Sequence, residues 1–270
     1  MPAAARPQFT SLVSLVEVYA TVTDARGEPV HGLAAKDFTV EEDDEVQSIE
    51  TFAEGQFPLT LAIGLDRSFS MSRAQLAGAA SSVRDLIGAL RPDDRVMVLA
   101  IGGETEVVVP LSADPKGARD ALIGLEPWGT TPLYDAVLQA IDAIHAEPGR
   151  RALILLSDGI DRYSRATAAE VVEQVRRRGV LLYPVALART APPVFAELAA
   201  ITGGRSQQVT EMRRLPAALF TIARELRSQY LLGYAPKRPM PSRNQWRSIR
   251  VRVGRPELRV RARDGYFAQP

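Results

Sequence analysis

The chain has 270 residues, of which 46% are apolar and 24% charged, and 33 basic against 32 acidic side chains leave a net charge of +1. That balance fits a globular protein of one large domain, or one standard domain and a small one, and gives no overall field that would favour nucleic acid or a membrane surface. The absence of cysteine excludes disulfide frameworks, thiolate metal sites and thiol nucleophiles.

No apolar run is long enough to span a bilayer. The first residues, Met1 to Pro7, lack the basic and apolar segments of an export signal. Residues 10–55 read as an N-terminal β segment. Strands are expected over Ser14 to Thr23, Asp37 to Val40 and Val46 to Phe52, with turns at Asp24 to Gly27 and at the acidic run Glu41 to Glu45.

Residues 56–229 alternate strand and helix. Strands are expected over 59–65, 95–101, 106–110, 152–157, 180–187 and briefly near 206–209. Helices are expected over 72–90, 115–124, 132–146, 167–178, 192–202 and 213–228. Gly102-Gly103-Glu104 turns the second strand back on itself, so one edge strand is antiparallel. The rhythm predicts an α/β fold, a doubly wound and mostly parallel six-stranded sheet with helices on both faces.

Residues 230–268 return to β. Ile249, Val251 and Val253 alternate with Arg250 and Arg252, and Leu258, Val260 and Ala262 alternate with Arg259, Arg261 and Arg263. Each β end is too small to bury a core alone. One end is acidic and the other basic, which favours a small β-sandwich formed by both, with the α/β unit inserted between them. The alternative is two separate hairpins lying on the α/β unit. The arginines lack the interleaved aromatic side chains of a nucleic-acid platform, so a solvated face opposite the acidic segment is expected.

Three polar loops carry the chemistry. Asp66-Arg67-Ser68-Phe69-Ser70 follows the strand Leu59 to Leu65, where open α/β sheets place their ligands. Trp128-Gly129-Thr130-Thr131-Pro132-Leu133 precedes a helix, and Ser157-Asp158-Gly159 follows another buried strand. Carboxylates and hydroxyls are hard oxygen donors, suited to Mg²⁺, Mn²⁺ or Ca²⁺ rather than zinc or copper. Taken singly, Asp66, Ser68 and Ser70 read equally well as helix caps. Asp161 reads as a cap for the next element or a neighbour of the metal. Arg67 and Phe69, the variable positions of the first loop, are expected to project to the rim, where Phe69 either packs inward or meets a partner, and Trp128 is expected to pack. His145 is expected on the surface, Glu104 at a solvated hairpin tip, and His31 has no evident partner.

Together the three motifs, in this order and on these elements, resemble the von Willebrand factor A domain. The resemblance covers about residues 57–228 and implies the metal-ion-dependent adhesion site of that family. Its Asp-x-Ser-x-Ser motif maps onto Asp66, Ser68 and Ser70, its threonine loop onto Thr131 and its final aspartate onto Asp158. Thr130 stands where the family usually has glycine. The flanks, with Asp37-Phe38-Thr39-Val40 before and Asp264-Gly265-Tyr266 after, resemble a bacterial subgroup abundant in acidobacteria, whose members commonly carry an export signal. What this implies is a metal-dependent protein-binding module, bound to Mg²⁺, that takes a Glu or Asp from a partner, in an extracytoplasmic setting. A structural module with an idle metal site is the alternative. A hydrolase is disfavoured, since only two histidines exist and neither a Gly-x-Ser-x-Gly elbow nor a phosphate loop is present.

Overall fold

A computed structural model describes residues 15–55, 57–239 and 241–269. The expectations for Met1 to Pro7, and for residues 10–14 of the first β segment, lie outside the described residues. The chain begins with four strands, β1 Val16–Thr23, β2 Phe38–Glu42, β3 Glu45–Gln47 and β4 Thr51–Glu54. It continues through β5 Leu59–Asp66, α1 Arg73–Gly88, β6 Arg95–Gly102, β7 Glu104–Ser112, α2 Pro115–Asp120 and α3 Leu133–Ile144. Then come β8 Arg150–Ser157, α4 Ala168–Arg178, β9 Leu181–Ala186, α5 Pro193–Thr202, β10 Gln207–Gln208 and α6 Leu215–Arg227. Four further strands follow, β11 Tyr230–Tyr234, β12 Gln245–Val253, β13 Arg259–Arg261 and β14 Gly265–Ala268.

The central sheet has the order β10-β9-β8-β5-β6-β7, parallel except for the edge strand β7. β5 is buried along its whole length. Leu61, Ile63 and Leu65 pack with α1 and α6 on one face, while Ala62 joins α3, α4 and α5 on the other. The continuous apolar runs of β5 and β8 therefore mark strands covered on both sides. The chain leaves β5 toward β6 on one side, and β8 lies on the other. The crevice between the ends of β5 and β8 is thus a topological switch point, where such sheets bind ligands. α1 starts sharply after the first loop because Ser72 and Gln75 form a reciprocal capping box, with Gln75 N–H donating to Ser72 Oγ at 3.2 Å and Ser72 N–H to Gln75 Oε1 at 3.0 Å.

The two ends of the chain do form a sandwich. One sheet has the order β13-β1-β11-β4 and the other β14-β12-β2-β3. Val18, Ala20, Tyr230 and Leu232 of the first pack against Phe38, Val40 and Ile249 of the second. The expected meeting of acidic and basic segments is a strand pairing: Arg250 stands opposite Glu41 across β12 and β2 and pairs with it at 3.3 Å. Arg252 also reaches Glu41, at 3.2 Å, and Arg250 reaches Asp44 at 3.0 Å. These are surface pairs and contribute little stability each.

Three elements depart from expectation. The helix expected over 115–124 stops at Asp120. Beyond it, Leu122 and Ile123 donate three residues back in tight turns, and Gly124 turns the chain at a φ of 80°. The strand expected over 46–52 divides into β3 and β4, which belong to different sheets, because the chain crosses the sandwich between them. β14 was hidden, since Gly265-Tyr266-Phe267-Ala268 has no apolar alternation.

The α/β unit and the sandwich meet at α6, where Arg261 of β13 pairs with Glu225 at 2.6 Å. Next to this contact, within the α/β unit, Arg227 pairs with the buried Asp94, and the buried Arg150 guanidinium donates to the carbonyls of Leu226 and Phe57. Burial alone would raise the Asp94 carboxyl. Hydrogen bonds from Arg227 and from the backbone of Arg91 and Leu59 override it and hold the group below the ordinary aspartate range. A depressed carboxyl adds stability that is present above its unfolded pKa of about 4 and is lost as pH falls through the folded value. Asp94→Asn is therefore expected to cost about 3 kcal/mol at pH 7, with the difference from wild type shrinking steadily as pH falls below about 4, measured by urea unfolding across that range.

Candidate metal centre

Asp66 ends β5 and is fully buried. Its Oδ1 accepts the Ser68 N–H at 2.9 Å and its Oδ2 accepts the Ser157 hydroxyl at 2.6 Å. No ion pair reaches Asp66 or Asp158 among the described residues. The neighbouring Arg67 turns away, pairing with Glu106 at 2.8 Å and lying over the Trp128 ring. Burial pushes the Asp66 carboxyl above its ordinary range, and the charge of Asp158 adds to this. The Ser157 and Ser68 hydrogen bonds oppose the shift without cancelling it. A buried carboxylate with a second one nearby and no cation is a costly arrangement for a protein by itself.

The hydroxyls lie beside it. Ser68 and Ser70 place their Oγ atoms 2.9 Å apart, Ser68 buried and Ser70 exposed. Thr131 is buried in the second loop. Backbone hydrogen bonds stitch the three loops together. Phe69 N–H donates to Gly129 O at 3.0 Å, Trp128 N–H to Arg67 O at 2.7 Å, and Arg162 N–H to Thr131 O at 2.7 Å. The structure thus brings Asp66, Ser68 and Ser70 into one hydrogen-bonded set. It ties the Thr131 loop to the loops on either side, and it puts Asp158 close enough to act on Asp66 through its charge.

Gly129 makes this joint possible. Its φ is 71°, and a Cβ there would overlap the Gly103 backbone. Gly129→Ala is expected to lower the melting midpoint by several degrees and to weaken metal binding, both readable in one thermal-shift series with and without Mg²⁺.

The donor set fits a hard dication: two carboxylates, three hydroxyls and no nitrogen or sulfur. Among the described residues no group of three or more histidine, aspartate or glutamate side chains forms a metal cluster of the ordinary kind. Asp66, Ser68, Ser70, Thr131 and Asp158 would hold the ion, and the ion would supply an attraction for anionic oxygen.

Several neighbours carry roles that the sequence left open. Ser157 locks Asp66 and also accepts the Gly159 N–H at 3.0 Å; the hydroxyl just before Asp158 was the available signal. Asp161 is a cap, as expected, but for the preceding helix α3: it accepts the Tyr134 N–H at 3.2 Å and the Ser164 hydroxyl at 2.6 Å. Pro132 at the start of α3 has no side chain to do this. Phe69 points to solvent. Trp128 packs only in part, against Gly103 and Arg67, and stays half-exposed. His31 pairs with Glu54 at 2.8 Å, and His145 is half-buried with its Nδ1 against the Asp142 carbonyl.

Residues 61–160, which include all five candidate ligands, match the family model of the von Willebrand factor type A domain. The human protein named calcium-activated chloride channel regulator 4 is 27% identical over 103 residues, 37% of this chain and 11% of that protein. The chain thus spans only a small part of that relative. A von Willebrand factor type A structure from Catenulispora acidiphila aligns with a TM-score of 0.57 at 17% identity, covering 86% of this chain and 63% of that one. Proximal thread matrix protein 1 from the mussel byssus, solved with a zinc-occupied MIDAS motif, aligns at 0.57 and 15% identity, covering 70% of this chain and 50% of that one. BatB from Bacteroides thetaiotaomicron aligns at 0.51 and 19% identity, covering 63% of this chain and all of that one (100%). At these identities the solved structures speak for the fold alone. Family match and fold agree: residues 61–160 match the von Willebrand factor type A domain, and the six-stranded sheet around them has the fold of the solved structures of that type.

Proposed function

We propose that this domain is a protein-binding module that captures an acidic side chain of a partner through a divalent cation. Asp66, Ser68, Ser70, Thr131 and Asp158 hold the cation. Mg²⁺ is the expected ion, with Mn²⁺ or Ca²⁺ as substitutes, because every donor is oxygen. The observation that carries the reading is Asp66, a buried carboxylate beside Asp158 with no ion pair among the described residues. Neutral hydroxyls fill much of the shell and leave the cation under-neutralised. It therefore seeks an anionic oxygen, most simply from a Glu or Asp of another protein.

Catalysis is not part of this reading. A hydroxyl nucleophile needs a base within hydrogen-bond reach. Ser157 does bond the Asp66 carboxylate but is fully buried, and the two histidines are engaged elsewhere, His31 with Glu54 and His145 at the end of α3. Nucleic acid is likewise outside it, since arginines of β12 are matched by acids of the β2–β3 hairpin. We take residues 56–229 as the capturing unit, with 10–55 and 230–268 as its β support. No helix among the described residues is long and apolar enough to cross a membrane. An extracytoplasmic setting rests on the resemblance to exported bacterial proteins.

Isothermal titration of metal-stripped protein with Mg²⁺ and Mn²⁺ tests the site. One binding event reversed by EDTA is expected. No heat and no thermal shift with either ion would leave the domain a structural one.

A further inference from the structure

Nine large apolar side chains stand exposed among the described residues, and four of them, Phe69, Trp128, Ile160 and Tyr163, lie on the three loops of the candidate site. Phe69 sits between Ser68 and Ser70, Trp128 three residues before Thr131, and Ile160 two residues after Asp158. Ile160 N–H donates to Asp158 Oδ1 at 2.9 Å, and backbone hydrogen bonds join the loops that carry the four side chains, which border the candidate site. Their exposures are 73%, 48%, 52% and 83%. Scattered single apolar residues need no explanation, but a group around one site does.

Tyr163 adds a separate observation. Its φ is 70°, in the left-handed region that a bulky side chain seldom enters. Backbone strain of this kind persists where the surroundings impose it, and it concentrates at binding sites. Here it holds an aromatic ring in solvent.

The charge around the rim is mixed. Glu104, Glu106 and Glu126 line a cleft with Trp128, but Arg67 pairs with Glu106 at 2.8 Å and Arg73 with Glu126 at 3.1 Å, and Arg162 and Arg165 stand exposed on either side of Tyr163. Charge therefore does not select what flanks the partner's carboxylate; the exposed apolar side chains do.

Building on the metal-capture reading, we infer that the partner presents its carboxylate from an apolar segment: one Glu or Asp with aromatic or branched aliphatic side chains next to it. The carboxylate goes to the cation, and the apolar neighbours cover the rim. Covering the rim excludes water from the metal–carboxylate contact, the arrangement that gives an interface its dominant residues.

A displayed library of heptapeptides with a fixed central glutamate and random flanks, panned on the protein in millimolar Mg²⁺ and eluted with EDTA, tests this. The expected eluate is enriched in Phe, Tyr, Trp, Leu and Ile beside the glutamate. Phe69→Ser and Tyr163→Asn should each weaken a selected peptide about ten-fold or more. Asparagine suits the left-handed backbone, so an unchanged melting midpoint in Tyr163→Asn separates lost contact from lost fold. Phe220→Ser, which removes an equally exposed aromatic from α6, should leave peptide affinity unchanged. EDTA-eluted peptides with polar flanks, or full affinity in both rim variants, would overturn the inference and leave metal capture standing. Equal loss in Phe220→Ser would also overturn it, as general stickiness. If EDTA elutes no peptide, the capture reading fails and the inference fails with it.

Discussion

Asp66→Asn is expected to lower Mg²⁺ affinity at least a hundred-fold while leaving the metal-free protein as stable as wild type or more so. The amide keeps the shape of the side chain and an oxygen for the Ser68 N–H, and it removes a buried charge that no cation offsets. In wild type, Mg²⁺ at a hundred times its dissociation constant should stabilise the fold by about 2.7 kcal/mol. For a chain of this size that raises the melting midpoint by about 5–10 °C. In Asp66→Asn the rise should vanish. Differential scanning calorimetry with and without Mg²⁺ reads both effects. A variant that still binds Mg²⁺ as wild type does would remove Asp66 from the site, and with it the reading built on that residue.

The second large effect belongs to the sandwich. Arg247 and Glu42 pair at 2.9 Å with both side chains almost wholly buried. Tyr234 and Tyr266 donate their hydroxyls to Glu42 Oε2 at 2.8 and 2.9 Å. Burial and the Glu42 bond push the Tyr266 phenol up to about 12 and raise the Tyr234 phenol as well, so both remain donors at any working pH. Arg247→Met leaves the Glu42 charge buried without a cation and should cost about 3–5 kcal/mol in urea unfolding. Adding Glu42→Gln to that variant keeps an acceptor for the two phenols and removes the orphaned charge. About half of the loss should return. If the double variant is no more stable than the single one, the cost lies in lost packing of the arginine stem, and the ion pair is not what the sandwich depends on.

Much of the fold was legible because its signals are local. The runs Leu59 to Leu65 and Ala152 to Leu156 are too apolar for any strand open to water, and turn residues divide them from the helices. The candidate site could be assembled from the sequence for a related reason: each ligand candidate sits within a few residues of an element end, so its place follows once the element is placed. What escaped depends on contacts between distant segments. Exposure of Trp128 is set by what the folded loops leave uncovered, and composition does not carry that. The split of 46–52 between two sheets follows from the partners of β3 and β4, which lie elsewhere in the chain. The buried ion pair is the instructive case. Arg247 has the same parity as Ile249, Val251 and Val253, and Glu42 the same parity as Phe38 and Val40. Both charges therefore occupy inward-facing positions of their strands. One charge breaking an apolar alternation reads as noise. Two of opposite sign, on strands of complementary charge, read as a pair.

Because β1 and β14 both belong to the sandwich, tension applied between these two strands enters that layer first. The load falls on the ladders of β1 with β13 and β11 and of β14 with β12, and the parallel sheet that carries the three loops lies outside those pairings. Pulling on the two strands is therefore expected to open the sandwich before it strains the loops.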